Sequence, residues 1–593
     1  MTINWKQIGQ YGFIMGIAIW YVCLVGMVET FDSRGIIDGT LFTLGRALLV
    51  VISLGLGYVT AMKVSDGNFG MGVMGSLISG VIGAVMTVVL VLAIEPLNMR
   101  AMFVNASTSL IEILTFEMES QATGLTILAA FIVGFSVLGG IIYLLPSLPR
   151  RAIISGFSAV LVMGMLGELL TVVLGRFDLT EILSDFLYGR NGLSIPGAIS
   201  IFIFFAVVSV LWATQKDSLQ SGVENLPPTQ RRTLSWALIV LSIIVLILLP
   251  QAVGPYISQI LVLVGLYALM GLGLNIEIGL AGLLDLGFVG FFAIGAYTVA
   301  LMTSTGELGV SGTAIADYSN FWVAIPIAVA VSAFAGIFLG IPVLRMRGDY
   351  LAIVTLGFAE IIRILVLSDF LRPLLGGAQG VLNIPKPAVA YAQQIANQLP
   401  WYFQTVFFFF VSTDGRIKDP AHFYYIIVIG CALISFVAWR LQNARIGRNW
   451  MALREDEDVA EAMGINLIAS KLLAFGIGAA FAGLSGAIFA AQVGSVFPHS
   501  FGLIVSINVV SLVIIGGSGS IPGVIVGSLV LVGLPELLRE FAEYRLLIYG
   551  ALLVVMMLVR PEGLWPSETT RREMQSDEDI EPVPVGQTAP RSV

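Results

Sequence analysis

Apolar runs recur along almost the whole chain, and most are about 18 to 25 residues long, the length at which a helix crosses the hydrocarbon core of a bilayer. About six runs fill the N-terminal part, and about ten more follow a polar stretch. The pattern predicts an all-α polytopic membrane protein with about 16 transmembrane helices. The run at 503–516 is short enough to be either a span or a re-entrant segment. The predicted spans lie near residues 11–29, 41–63, 71–95, 124–146, 152–174, 196–214, 236–253, 255–274, 281–303, 321–344, 349–370, 422–440, 470–492, 503–516, 521–538 and 544–560.

One polar stretch, KDSLQSGVENLPPTQRR from Lys216 to Arg232, interrupts the apolar pattern. It carries a proline pair and ends in a basic pair, features typical of a boundary between domains. Beyond Gln575 the chain is rich in acids and proline and poor in aromatic residues, which is typical of a disordered tail. We therefore expect four regions: an N-terminal membrane block of about six spans at 1–215, a cytoplasmic linker at 216–235, a membrane core at 236–566 and a disordered acidic cytoplasmic tail at 567–593.

The basic residues indicate an orientation. Strict alternation of the predicted spans places nearly every basic doublet on one side of the membrane, and an excess of lysine and arginine marks the cytoplasmic side. Loops on the other side, such as 112–119 and 178–185, are acidic or mixed. Both termini are then cytoplasmic, in a multi-pass protein of the cytoplasmic (inner) membrane. The basic residues on the predicted cytoplasmic side are Lys6, Lys63, Arg150, Arg151, Arg231, Arg232, Arg345, Arg347, Arg560, Arg571 and Arg572.

Composition agrees with a membrane protein and excludes a soluble one. The 593 residues are 57% hydrophobic and only 11% charged, and 65 of them are glycine. A soluble domain could not bury so much apolar surface, whereas glycine lets helices approach closely in lipid. The two cysteines, Cys23 and Cys431, lie within apolar runs, so we expect buried thiols rather than a disulfide or a metal site. The lipid bilayer is one expected partner, and no nucleic-acid partner is expected.

The most charged segment of the membrane core follows Arg440. Its basic residues precede an acidic cluster and the tetrapeptide EAMG that ends at Gly464. Carboxylates stabilise the first turn of a helix, and glycine is common at the position just after its last turn. The segment is therefore either a solvated connector between spans or a short amphipathic helix with a function of its own on the cytoplasmic side. The residues of interest are Arg440, Arg445, Arg448, Arg454, Glu455, Asp456, Glu457, Asp458, Glu461, Ala462 and Gly464.

The chain lacks the motifs of an enzyme. No phosphate-binding G-x-x-x-x-G-K-[ST] loop occurs, and the glycine-rich stretch at 516–520 has neither the lysine nor the strand-to-helix setting of one. The only histidines, His422 and His499, lie near span ends without partners, so neither a metal site nor a nucleophile triad can be assembled from them. We expect no catalytic residue, no bound cofactor and no metal on this chain.

Three ionisable residues within or beside the apolar runs are candidates for a polar site. Glu360 and Arg363 are spaced i, i+3, so they share one helix face and can neutralise each other. Ionisable residues in spans usually face a protein interior or a water-filled cavity. The pair is therefore either a structural ion pair or part of a translocation path. Asp285 lies nearer the predicted cytoplasmic end of its run, where it is either a helix-start residue or a substrate ligand.

Several of these stretches resemble one family of transport proteins. The sequence ALREDEDVAEAMGINLIASKLLAF at 452–475 resembles the cytoplasmic coupling loop of ATP-binding-cassette (ABC) importer permeases, in the form found in branched-chain amino acid permeases of the leucine/isoleucine/valine type. Its EAMG is shorter than the motif of other importers. Phe288 stands where many relatives have histidine or tyrosine. The resemblance covers about residues 236–566 and not the N-terminal block, and its other stretches are 279–297, 347–363, 518–523, 534–539 and 560–565.

The resemblance implies a permease subunit without an ATPase site of its own. Such a subunit translocates branched-chain or other neutral amino acids with energy from two separate ATPase subunits, which hold ATP and Mg. A second related permease and an extracytoplasmic substrate-binding protein complete the transporter. The coupling loop, from Arg454 to Gly464, would dock on an ATPase subunit. The external segment from Leu371 to Ala421 would be either an interfacial loop with aromatic anchors or a docking place for the binding protein.

Three other functions stay open at this point. Permeases for urea or short amides have similar sequences, so these solutes are an alternative cargo. A stand-alone secondary carrier or channel could use Asp285, Glu360 and Arg363 to handle protons or ions. The N-terminal block could be a sensor or assembly module with no part in transport.

Overall fold

The computed structural model describes residues 5–38, 42–65, 68–175, 178–189, 191–224, 227–305, 320–343, 349–388, 417 and 419–537, with scattered residues between 544 and 567. Over these residues the chain is helical, and strand-like pairing is limited to isolated bridges. The chain divides into two compact units, Met1–Leu241 and Ser242–Val593. Many of its helices are long and apolar enough to cross a membrane, which confirms the predicted all-α polytopic class.

The first unit contains ten helices among the described residues, and six of them are candidate spans. They are α1 (Trp5–Val25), α2 (Met27–Asp32), α3 (Leu44–Val64), α4 (Phe69–Ile94), α5 (Thr108–Leu114), α6 (Gln121–Leu144), α7 (Ser147–Met165), α8 (Gly167–Leu174), α9 (Asp178–Leu187) and α10 (Ile195–Glu224). The next helix, α11 (Pro228–Asn275), contains the boundary between the units.

Small residues bring α3, α4 and α6 together. The hydroxyl of Ser76 donates to the carbonyl of Gly57 at 2.9 Å, and the hydroxyl of Ser136 donates to the carbonyl of Ser76 at 2.7 Å. A Cβ atom at Gly57 would lie only 2.1 Å from the Ser136 carbonyl oxygen. Helices in lipid associate through such close backbone approach and interhelical hydrogen bonds, because the surrounding lipid is as apolar as the side chains.

The second unit continues from α11 with shorter and more broken elements. After a π turn at Ile276–Leu280 come α12 (Phe288–Thr303), α13 (Phe321–Val343), α14 (Asp349–Leu367), α15 (Arg372–Leu375), α16 (Pro420–Gln442), α17 (Arg445–Glu455), α18 (Glu457–Ala462), α19 (Leu467–Val493), α20 (Leu503–Gly516), α21 (Ile521–Ser528), a second π turn at Leu529–Gly533 and α22 (Leu534–Leu537). Unpaired backbone groups at such breaks must be satisfied inside the protein, since lipid cannot bond them.

Helix α19 is the centre of the second unit. It packs against α12 and α13 at positions where only glycine fits. A Cβ atom at Gly295 of α12 would lie 2.3 Å from the Gly483 carbonyl oxygen, and one at Gly486 would lie 2.0 Å from the Phe292 carbonyl oxygen. The small residues therefore set the distance between these helices.

The span count differs from the prediction for local reasons. Twelve described helices meet the length and hydropathy of a span, and two shorter apolar helices lie at Phe288–Thr303 and Ile521–Leu537. The predicted spans 236–253 and 255–274 are two helices that meet at a kink at Gly254, where φ is +86° between two prolines, and they are counted together as α11. The predicted span 544–560 falls largely outside the described residues. The count of about 16 therefore stays a prediction.

The predicted linker is helical where it is described. Helix α10 continues to Glu224, and α11 begins at Pro228, which suits proline because the first helical position needs no free backbone N–H. The predicted tail at 568–593 and residues 389–416 of the external segment lie outside the described residues. The four predicted regions stay a prediction.

Candidate functional site

The acidic cluster forms the helix start that the sequence predicts. Asp456 lies just before α18, and its Oδ1 accepts hydrogen bonds from the backbone N–H groups of Asp458 at 2.9 Å and Val459 at 3.0 Å. Glu457 and Asp458 occupy the first turn, where carboxylates favour the helix dipole. Gly464 follows the helix with φ +86°, in the left-handed region that glycine adopts without strain. The predicted short helix is confirmed. We refer to α17 and α18 together as the coupling helices.

Two contacts fix the coupling helices to the start of α19. The indole of Trp450, fully buried at the inner face of α17, donates to the carbonyl of Ser470 at 2.8 Å. Lys471, buried at the start of α19, lies 2.8 Å from the carboxylate of Glu457 on α18. Because both contacts involve buried groups, the coupling helices are attached to the core and are not a solvated loop.

Arg454 makes a third attachment, to a different part of the core. Its Nη1 donates to the carbonyl of Gly279 at 2.9 Å, while its Nε and Nη2 donate to Glu455 Oε1 at 3.3 and 3.0 Å. Gly282 packs against the same side chain, since a Cβ atom there would lie 2.6 Å from Arg454 Cγ. Arg454 therefore points from the coupling helices toward the backbone between α11 and α12.

The outer surface of the coupling helices combines acids with two apolar side chains. Val459 is 58% exposed and Met463 is 79% exposed, and they lie one helical turn apart. Two exposed apolar residues on a charged helix suit a contact with another protein better than contact with water. The other residues of interest in the segment that are exposed are Arg440, Arg445, Arg448, Glu455, Asp456, Asp458, Glu461, Ala462 and Gly464.

The backbone that Arg454 contacts is irregular. We refer to residues 276–287 as the broken segment; it consists of the π turn Ile276–Leu280 and the non-helical stretch before α12. Side chains hold its two ends. The Asn275 Oδ1 accepts from the N–H of Gly519 at 2.8 Å, and the Thr355 hydroxyl of α14 accepts from the N–H of Leu286 at 3.1 Å. π turns occur frequently at functional sites.

Two carboxyl groups are buried on the broken segment. Glu277 and Asp285 are both 0% exposed, and their carboxyl groups interact with each other. Asp285 Oδ1 accepts from the N–H of Gly287 at 2.6 Å, just before α12 begins. Asp285 Oδ2 and both Glu277 oxygens accept no hydrogen bond from any described residue. We refer to the two residues as the acid pair.

We expect the acid pair to hold a proton. Two neighbouring carboxylates repel each other, and burial of even one charge is unfavourable. Helix α19 closes the site from one side, because a Cβ atom at Gly478 would lie only 1.7 Å from Glu277 Oε1. A pair with one neutral carboxyl would avoid both costs, because the neutral acid can donate to its partner.

The family that matches this region is described as "Branched-chain amino acid transport system / permease component", and the match covers residues 256–557. The chain belongs to this family. The matched residues include the broken segment, α14 and the coupling helices. The first 255 residues lie outside the match.

Individual relatives support the family assignment. The high-affinity branched-chain amino acid transport system permease protein LivM of Escherichia coli K12 is 40% identical over 380 residues, which are 62% of this chain and 85% of the relative. LivM of Salmonella typhimurium is 38% identical over 382 residues, 64% of this chain and 86% of the relative. The permease protein LivH of Salmonella typhimurium is 25% identical over 302 residues, 50% of this chain and 90% of the relative. No solved structure matches the chain.

The three ionisable residues singled out in the sequence of this permease do not form one cluster. Glu360 Oε2 accepts from Arg363 Nε at 2.8 Å, so the predicted ion pair on α14 is present. Both side chains are about one-third exposed, at 36% and 35%. Asp285 belongs instead to the acid pair with Glu277. Whether Asp285, Glu360 or Arg363 lines a translocation path stays a prediction.

Glu277 is the residue that sequence reasoning missed. It stands in the stretch LGLNIEIGLAG, where apolar residues and glycine surround a single acid. An acid in such a setting indicates a buried polar contact by the same rule that selected Glu360. The pairing with Asp285 depends on the π turn that contains Glu277, which no sequence pattern predicts.

Both histidines are among the described residues. His422 Nδ1 lies 3.5 Å from Asp419 Oδ2 at the start of α16 and makes no hydrogen bond with any described residue. His499 stacks on the ring of Phe497, with centroids 5.3 Å apart. Within the described part of the chain, no group of three or more histidine, cysteine, aspartate or glutamate residues could hold a metal ion.

Proposed function

We propose that this chain is the membrane-spanning permease subunit of an ABC importer for branched-chain or other neutral amino acids. The single observation that supports the proposal most is the construction of the coupling helices. Their inner face is attached to the core through Trp450 and Lys471, and their outer face presents Val459 and Met463 to solvent. A surface that is both exposed and firmly attached is suited to receive a force from another protein.

In this proposal separate ATPase subunits dock on the coupling helices and supply the energy. They would hold the ATP and Mg, and this chain would have no catalytic part in hydrolysis. The acids Glu455, Asp458 and Glu461 would surround the apolar contact of Val459 and Met463. Charged groups at the rim of an interface favour the correct partner, while the apolar centre contributes most of the affinity.

The proposal also includes the remaining partners and the orientation. The relatives are named for a branched-chain amino acid transport system with LivM and LivH permease proteins, so we infer a second related permease beside this chain. An extracytoplasmic binding protein would deliver the amino acid. The coupling helices would face the cytoplasm, as would both termini. Selection by the binding protein outside allows a translocation path with little affinity of its own.

Docking can be tested by placing a charge at the centre of the proposed contact. Met463→Glu is expected to weaken the binding of the ATPase subunits by at least about tenfold, because a central apolar contact is worth about 1–2 kcal/mol. The measurement is co-purification of the ATPase subunits with the permease from membranes. Met102→Glu is the matched control, since Met102 is 82% exposed on the predicted external side of the first unit.

The outcomes separate the functions that the sequence leaves open. Undiminished co-purification with Met463→Glu contradicts docking on the coupling helices. ATP-dependent uptake of urea or short amides in place of leucine, isoleucine and valine would replace the proposed cargo. Uptake by this chain without any ATPase would favour a secondary carrier.

A further inference from the structure

The coupling helices touch the core at two separate places. Trp450 and Glu457 contact the first residues of α19, whereas Arg454 contacts the broken segment between α11 and α12. The first place is an attachment at the start of one long helix, α19. The second place is an irregular stretch of backbone that carries the acid pair.

We propose that Arg454 is a positioning residue that makes the broken segment, with its acid pair, move together with the coupling helices. The inference rests on the proposed function, because it needs an ATPase to move those helices. It adds the internal route by which the movement reaches the membrane core.

The contact between Arg454 and the broken segment is a strong one. Nη1 of Arg454 donates to the carbonyl of Gly279 at 2.9 Å, and hydrogen bonds from a charged donor are about twice as strong as neutral ones. Glu455 accepts from the other two guanidinium nitrogens, so the planar group has a fixed direction. The Arg454 side chain is only 26% exposed, which limits competition from water.

The backbone of the broken segment leaves room for the Arg454 side chain at Gly282. Gly282 has φ +70°, a conformation that residues with a Cβ atom rarely adopt. A Cβ atom there would lie 2.6 Å from Cγ and 3.0 Å from Cβ of Arg454. Gly279 and Gly282 thus contact Arg454 on two sides, and a displacement of the arginine displaces both.

The broken segment and its two flanks are hydrogen-bonded to several neighbouring elements. Asn275, just before it, accepts a hydrogen bond from the N–H of Gly519 in the glycine-rich turn. Leu286, within it, donates its N–H to the hydroxyl of Thr355 in α14. Val289, just after it, donates its N–H to the hydroxyl of Ser506 in α20. Glu277 packs against Gly478 of α19. Movement of this one segment is therefore transmitted to several membrane helices at once. An α-helix would be too rigid to redistribute it, whereas a π turn followed by irregular backbone can change its dihedral angles.

The test compares two arginines of the same helix in the complete transporter, with its ATPase subunits, second permease and binding protein. Arg454→Ala removes the contact with the broken segment. Arg448→Ala is the control, because Arg448 is exposed on α17 and, within the described part of the chain, its side chain donates to the nearby Asn443 carbonyl and not to the broken segment. Co-purification of the ATPase, ATP hydrolysis and leucine uptake into proteoliposomes are measured for each.

We expect both variants to retain the ATPase subunits, since Val459 and Met463 are unchanged. Arg448→Ala should transport as much leucine per ATP hydrolysed as the wild type does, whatever its effect on docking. Arg454→Ala should hydrolyse ATP while transporting at least about tenfold less leucine per ATP, which corresponds to a coupling loss of about 1.4 kcal/mol. Arg454→Lys keeps a cation that can donate to Gly279 and should recover part of the loss. A purely structural role would lower uptake and hydrolysis together.

A glycine variant tests the same contact from the other side. Gly282→Ala should push the Arg454 side chain away and lower leucine transport per ATP, as Arg454→Ala does. Gly494→Ala is its control, because Gly494 has a similar φ of +80° and a Cβ atom there meets only the Ile384 carbonyl oxygen at 3.6 Å. The inference is overturned if Arg454→Ala couples transport to hydrolysis as well as Arg448→Ala does. If the wild-type transporter itself shows no ATP-dependent uptake, the proposed function fails, and this inference fails with it.

Discussion

Two pairs of ionisable side chains in the second unit differ in chemistry and in surroundings. Glu360 and Arg363 carry opposite charges, lie on one helix and are each about one-third exposed. Glu277 and Asp285 are both acids, lie on the broken segment and are fully buried. The first pair can form in any helix with that spacing. The acid pair depends on the irregular backbone of the broken segment, on the lack of a side chain at Gly478 and on the contact of the segment with Thr355.

The two opposite charges on one helix are therefore held less tightly by the surrounding structure than the two buried acids are. The charges of the ion pair neutralise each other within one helix, so the pair needs no contact from another element. A buried charge without a partner costs several kcal/mol, so we expect a proton to neutralise the acid pair. We therefore expect the acid pair, and not the ion pair, to depend on the packing around it.

The largest effect is expected from Gly478→Ala. Its Cβ atom would lie 1.7 Å from Glu277 Oε1, so either α19 or the broken segment must move. We expect a loss of stability of about 1–3 kcal/mol or more, measured as a lower thermal unfolding midpoint in detergent. Gly357→Ala on α14 is the control, since its Cβ atom would meet nothing within 4 Å. Equal stability of the two variants would contradict the packing of Glu277 against α19.

The proton of the acid pair is tested by Glu277→Gln. Glutamine has nearly the shape of protonated glutamate and can donate to Asp285, so we expect stability within about 1 kcal/mol of the wild type. The infrared band of a protonated carboxyl group, present in the wild type, should weaken or disappear. Glu360→Gln should leave that band unchanged, because Glu360 is paired with Arg363. A wild type without such a band would show that both acids are ionised.

The smallest effect is expected at the ion pair. Glu360→Gln and Arg363→Gln made together should change stability by less than about 1 kcal/mol, because the double variant leaves no unpaired charge on α14. ATP-dependent uptake should stay near the wild-type rate for this variant. A large loss of uptake with unchanged stability would instead support the alternative that this pair lines the translocation path.

The sequence predicts those features that depend on neighbours along the chain. The start of α18 follows from Asp456 and the two acids after it, and its end follows from Gly464. The Glu360–Arg363 contact follows from an i, i+3 spacing in a helix. The family also follows from local stretches, chiefly the coupling loop. In each case the deciding interactions lie within about one helical turn.

The features that the sequence does not predict depend on tertiary contacts. Glu277 and Asp285 meet because the π turn at Ile276–Leu280 redirects the backbone, and the apolar pattern there shows only a gap between two predicted spans. The inward direction of Arg454 is equally hidden, because its neighbours in the sequence are exposed acids. Its contact with Gly279 joins residues that are far apart along the chain. Spacing cannot reveal such a contact.

The central claim is that ATP hydrolysis by separate subunits drives movement of this permease. Its most direct test is leucine uptake into proteoliposomes that contain either this chain alone or the complete set of permease, ATPase and binding-protein components. We predict uptake only with the complete set and ATP. Sustained uptake by this chain alone, driven by an ion gradient with no ATPase present, would contradict the account.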